Sequence, residues 1–142
     1  MADAYTHIAC CLDGSPVGDA ALAAAIRMRS LGDGALTLVH VMEPGIEAYS
    51  GLASDAINDD SLTARDWMEQ MVALAPGSTG VLLEGHPATG VTEWAGGAGV
   101  DLIISLRHRG RVEHMLLGSF AQHLTYHSPC AVMLVHPPVA TG

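Results

Sequence analysis

Two neighbouring segments hold most of the residues that could do chemistry. The first is Leu106-Arg107-His108-Arg109-Gly110-Arg111. It carries three of the six basic residues, all of which are arginine. Arginine forks match phosphate oxygens in pairs, so such a cluster in an acidic chain suggests anion capture. The same side chains could instead pair with Glu113 and Asp101 around a solvated loop. The second segment is Leu116-Leu117-Gly118-Ser119-Phe120-Ala121-Gln122. Ser119 and Gln122 stand in the Ser-x-x-Gln relation of a capping box, and the preceding glycine allows a tight turn. Backbone N–H groups left free at such a helix start form an anion site. The plainer reading is a well-made helix start and nothing more.

Asp13 ends an apolar run in Asp13-Gly14-Ser15. Its carboxylate could accept hydrogen bonds from a ribose or base, or hold a metal through water. Equally, it could cap its own turn. There are eight histidines. His123 and His127 share the i, i+4 spacing of zinc ligands, but Leu124 stands where a zincin has glutamate, and no close third ligand is evident. We therefore expect no metal site. His40 lies inside an apolar run and reads as a hydrogen-bonded neutral ring. No Gly-x-Ser-x-Gly elbow occurs, and Ser119 has no evident base, so no catalytic constellation is expected.

Composition narrows the classes further. The chain has 142 residues, 49% hydrophobic and 15% charged, enough for one packed domain over residues 1–142. There is no lysine, which excludes a Walker A loop and any Schiff-base chemistry. Fifteen acids against six bases give a formal net charge of −9, which argues against nucleic acid as a partner. The apolar stretches are far short of the about 20 residues of a membrane span, and no signal peptide is evident at the N-terminus. Cys10, Cys11 and Cys130 make a poor disulfide framework. A cytoplasmic protein with reduced thiols is the expectation.

The elements that must position these residues alternate in type. Apolar runs at Tyr5–Leu12, Ala35–Met42, Thr79–Glu84, Val100–Ser105 and Cys130–Val135 read as buried strands. Helices fall between them. The first starts at Ser15-Pro16, with Val17, Ala21, Ala24, Met28 and Leu31 on its inner face and glycines at its end. Ile46 to about Asp60 has no clear period and reads as a loop. The next helix carries Ala64, Met68, Met71 and Ala75. A third opens at Pro87 with Ala88, Val91, Ala95 and Ala98 inward, and the last runs from Ser119 to His127. Strands that are apolar throughout are covered on both faces, which predicts a doubly wound parallel sheet. Such sheets bind ligands beyond the carboxyl ends of their strands, where strand order reverses. The residues there are Asp13-Gly14-Ser15, Val41-Met42-Glu43, Ser105-Leu106 and the loop up to Ser119.

These segments in their order resemble the universal stress protein family over essentially the whole chain. The residues carrying the likeness are Asp13-Gly14-Ser15, Leu38-Val39-His40-Val41, Gly85-His86-Pro87-Ala88, Val100-Asp101-Leu102-Ile103-Ile104, Leu116-Leu117-Gly118-Ser119 and His127-Ser128-Pro129-Cys130-Ala131-Val132-Met133-Leu134-Val135. The resemblance implies an open five-stranded parallel sheet in order 3-2-1-4-5 with helices on both faces. It also implies a homodimer through the last strand, and one of two branches. One branch binds ATP, with magnesium, through Gly-x-x-Gly-x9-Gly-Ser after the fourth strand; the other binds no nucleotide. This chain matches the motif's end at Gly118-Ser119. Leu106 stands at the first glycine, and Arg109 or Gly110 at the second, with seven residues between Gly110 and Gly118. The phosphate loop is thus remodelled. Carried over residue by residue, Asp13 would contact adenine or ribose, the Val41 backbone adenine, and Gly118 and Ser119 phosphate, with Gly110 in doubt and Arg109 neutralising charge. The leading expectation is an adenine-nucleotide-binding regulatory module, at most a slow ATPase. The alternative is a stress-response dimer that acts through protein partners and binds no nucleotide. Few aromatic residues weigh against a flavin binder of similar pattern.

Overall fold

The computed structural model describes residues 4–14, 19–42, 54–107 and 117–136, with 54–63 in backbone alone. Five strands form one sheet: β1 (His7–Cys11), β2 (Ala35–Met42), β3 (Thr79–Glu84), β4 (Leu102–Leu106) and β5 (Ala131–Val135). Between them lie α1 (Asp19–Arg29), α2 (Ser54–Leu74), α3 (Pro87–Ala98) and α4 (Ser119–His127). The strand order is β3-β2-β1-β4-β5, and every pairing is parallel. β1 runs at the centre, with His7 opposite Ala35 on one side and Ile8 opposite Leu102 on the other. The chain winds away from β1 in both directions, so strand order reverses between β1 and β4.

Side chains of a strand point alternately to the two faces of its sheet, and the core divides accordingly. Ile8, Cys10 and Leu12 join Leu36, Leu38, Leu102 and Ile104 on the face covered by α1 and α2. Ala9, Val39, Ile103 and the half-buried Cys11 join Val91, Ala95 and Leu124 on the face covered by α3 and α4. The neighbouring cysteines therefore occupy opposite layers, as their spacing requires. Central β4 is buried at every position, whereas the edge strand β5 is half-buried over Val132 to Val135.

Helix packing differs from the sequence reading in three places. The buried residues of α1 are Ala21, Leu22 and Ala25, and Ala24 and Met28 pack partly buried against the same core, while Leu31 is 71% exposed. The inward stripe stops before Leu31 because the helix ends at Arg29. On α3, Ala88, Val91 and Ala95 are buried and Ala98 is exposed, because Gly99 turns left-handed and ends the helix there. Helix α2 begins at Ser54, so residues 54–60, read above as loop, are helical. The polar run Asn58-Asp59-Asp60-Ser61 conceals the period, although Ile57 stands seven residues before Ala64 and in phase with it. The Ser15-Pro16 helix start lies outside the described residues.

The amino ends of the strands are tied by Asp101. Its carboxylate accepts hydrogen bonds from the backbone N–H of Thr6 at 2.8 Å, that of His7 at 2.9 Å and the Thr6 hydroxyl at 3.0 Å. Desolvation pushes this carboxyl upward, but these donors outweigh it and hold it below the usual carboxylate value. Asp101 precedes β4 and Arg107 follows it, so the two lie at opposite ends of that strand and do not form an ion pair. Arg109 and Arg111 lie outside the described residues.

Candidate functional site

Beyond the carboxyl ends of β1, β2 and β4 opens a cavity of about 570 Å³. Its volume falls within the roughly 300–1,000 Å³ usual for small-molecule sites. Each element contributes through its terminus. β1 supplies Cys11, Leu12 and Asp13; β2 supplies Val39, His40 and Val41; β4 supplies Ser105, Leu106 and Arg107. The start of α3 adds His86, Pro87 and Ala88, and the start of α4 adds Gly118, Ser119 and Phe120, with His123 a turn further on.

Local geometry explains how these residues are held. Asp13 leaves β1 into a turn whose next residue, Gly14, has φ of +81°. A side chain is strained in that region, and glycine is not. The Leu12 N–H donates to the Val39 carbonyl at 2.8 Å, and His40 Nδ1 donates to the Leu12 carbonyl at 2.8 Å. His40 also meets Trp67 of α2 edge-on, with ring centroids 5.0 Å apart. The ring is therefore half-buried and hydrogen-bonded, as expected of a histidine inside a strand.

At the opposite rim, the Arg107 N–H donates to the Val135 carbonyl at 2.9 Å, and the Gly118 N–H donates to the Arg107 carbonyl at 3.1 Å. The first bond ties the end of β4 to β5, and the second fixes the start of α4 to the end of β4. Gly118 is the N-cap, with φ −63° and ψ 159°, and among the described residues no side chain caps the helix. The Ser119–Gln122 capping box does not form. Ser119 is already the first helical residue, and the Gln122 N–H donates to the Gly118 carbonyl at 2.9 Å. Glycine is itself an adequate N-cap, so the helix starts one residue earlier. Its first N–H groups border the cavity with no capping side chain across them.

The charge balance of this cavity differs from that of the chain. Among the described lining residues there is one carboxylate, Asp13, against the guanidinium of Arg107 and the imidazoles of His40, His86 and His123. Cys11 is not a reactive thiol: burial, then the nearby Cys130, pushes it up to about 12. Burial, then Cys11, pushes Cys10 well up too. All three cysteines are free. No group of three or more metal-binding side chains occurs among the described residues.

Of the residues singled out in the sequence, Asp13, Val41, Gly118 and Ser119 meet around this one cavity. Arg109 and Gly110 lie outside the described residues. His86, Phe120 and His123 also line it. The position of His86 just before Pro87, and of His123 one turn after Ser119, was the available signal, because both lie at helix starts facing the same sheet end.

Comparison with known proteins adds independent findings. The family model described as the Universal stress protein family matches residues 4–136. A universal stress protein of Thermus aquaticus, from the QAH/OAS sulfhydrylase 3′ region, is 34% identical over an alignment of 108 residues that covers 70% of this chain and 76% of that relative. Among solved structures, the universal stress protein UspA of Lactobacillus plantarum superposes with a TM-score of 0.79 at 22% identity, over 93% of this chain and 98% of that one. A universal stress protein in complex with cAMP superposes with a TM-score of 0.63 at 20% identity, over 94% and 98% of the two chains.

Proposed function

The chain belongs to the universal stress protein family, and from that premise we propose that its cavity binds an adenine nucleotide and that the protein acts as a nucleotide-sensing regulatory module. The observation that carries this reading is the convergence of Asp13, Val41, Gly118 and Ser119 on one cavity at the reversal of strand order. Asp13 would accept hydrogen bonds from the ribose or base. The Val41 backbone would meet the adenine edge. Phosphate would approach Gly118, where no Cβ obstructs it, and take hydrogen bonds from N–H groups at the start of α4. Arg109 would neutralise phosphate charge, and Gly110 would let the remodelled loop turn. ATP with magnesium is the proposed ligand. The cAMP held by a structural relative supports adenine nucleotides as the class. The proposed activity is binding, and no residue is assigned as a general base.

Amide chemical shifts recorded during an ATP titration test this. The largest changes are expected at Asp13, Val41, Gly118 and Ser119. Changes confined to other surfaces would overturn it.

One sequence feature favours a second reading. Leu106 stands at the first glycine of the family's phosphate loop and is buried at the cavity's edge. A loop closed over the site would leave a protein that binds no nucleotide and works through partners. That reading predicts unchanged amide shifts at millimolar ATP. Both readings include a homodimer through β5. Its run Ala131-Val132-Met133-Leu134-Val135 is as apolar as the central strands, yet it lies at the sheet edge.

A further inference from the structure

Three imidazoles gather at the α3–α4 side of the cavity, and the nucleotide reading above uses none of them. His86 caps α3 and lines the cavity; its Nδ1 accepts from the Thr89 N–H at 3.5 Å. His123 lines the cavity from α4. His127 lies behind it, with ring centroids 4.5 Å apart. We propose that His86 and His123 form an acid-responsive anion wall, so that the cavity holds an anionic nucleotide more tightly at mildly acidic than at alkaline pH. This rests on the nucleotide reading and deepens it.

The chemistry follows from the cluster. A neutral imidazole offers one donor and one acceptor, whereas the imidazolium offers two donors and a positive charge. With no ligand, His123 resists protonation. Partial burial, then the charges of His127 and His86, hold His123 below its ordinary value. A phosphoryl anion between the helices would offset that repulsion. Binding would then favour the protonated state, and protonation would favour binding by the same factor. Among the described residues, the other titratable or charged groups lining the cavity are Asp13, His40, Arg107 and Cys11. Cys11, at about 12, does not ionise in this range. His40 already donates Nδ1–H to the Leu12 carbonyl.

The test is calorimetric titration of the full chain with cAMP and with adenosine at about pH 5.5 and about pH 8. The cyclic phosphodiester keeps one negative charge across that range, and adenosine has none, so both probes hold a constant charge while the imidazoles titrate. Affinity for cAMP is expected to be at least about fivefold higher at the lower pH. Adenosine is expected to change by less than about twofold, within the range of weak coupling. The double variant His86→Gln, His123→Gln should still bind adenosine and lose the cAMP preference; His40→Gln should keep it. Equal pH ratios for the two ligands in the unmodified protein would overturn the proposal, as would a preference that survives the double variant or disappears in His40→Gln. Adenosine binding would then leave the nucleotide reading standing. Failure of both ligands to bind at either pH would overturn that reading and the anion wall with it.

Discussion

A carboxylate that accepts three hydrogen bonds is most useful where it is ionised. Asp101 is such a group, and its donors hold it below the usual carboxylate value. Its contribution is therefore complete above that usual value and is lost as pH falls through the lowered one. Asp101→Asn is expected to cost about 1 kcal/mol at neutral pH, after allowance for its exposure. Urea unfolding should show that difference shrinking as pH falls through the lowered value, where Asp101 itself becomes neutral. At the other end of the sheet, Arg109→Ala should weaken ATP by about tenfold, the scale of one charge-assisted contact, and leave adenosine unchanged. Equal loss for both ligands would remove the assigned role. As residues lining the cavity, Asp13, Val41, Gly118 and Ser119 were legible in the sequence because strand ends and the Gly-Ser pair mark the ligand side of a parallel sheet. His86 and His123 were not. Their neighbours Pro87 and His127 suggested a helix start and a metal spacing, and neither shows that two helices converge on one cavity.

Elements were legible where burial imposes a period and less so where it does not. All five strands stand close to their apolar runs, since both sheet faces are covered. The start of α2 was hidden by its polar run, and the inward stripe of α1 stops before Leu31 because the helix ends at Arg29. The cap of α4 shows a different limit: Ser119 and Gln122 have the right spacing for a box, yet the glycine before them takes the capping position. Close approach sets one further requirement. A Cβ on Gly34 would fall on the carbonyl oxygen of Tyr5, with the Thr6 carbonyl oxygen 3.0 Å away. Backbone atoms there cannot move aside, because the Ala35 N–H also donates to the Thr6 carbonyl at 2.9 Å. Gly34→Ala should destabilise the protein by about 1–3 kcal/mol, the usual cost of overpacking. Thermal unfolding checks this, and an unchanged midpoint would mean that the turn relaxes freely.

At the scale of the whole molecule, one feature of topology organises the rest. Strands wind outward from β1 on both sides, and the cavity opens where the two directions part. The apolar outer edge at β5 predicts a second copy of the chain. Sedimentation should give a dimer, and Leu134→Lys should shift it to monomer, since a charge on an edge strand opposes pairing. A monomer in the unmodified protein would refute the edge pairing. No helix among the described residues is long and apolar enough to cross a membrane. The central claim concerns the cavity, and calorimetry of nucleotide-free protein with Mg-ATP tests it most directly. The account predicts saturable binding in the micromolar range that Gly118→Val abolishes. It also predicts that the variant keeps the fold, because Gly118 has φ of −63°, a value any residue adopts. Absence of heat at millimolar ligand, or binding unaffected by Gly118→Val, would contradict it.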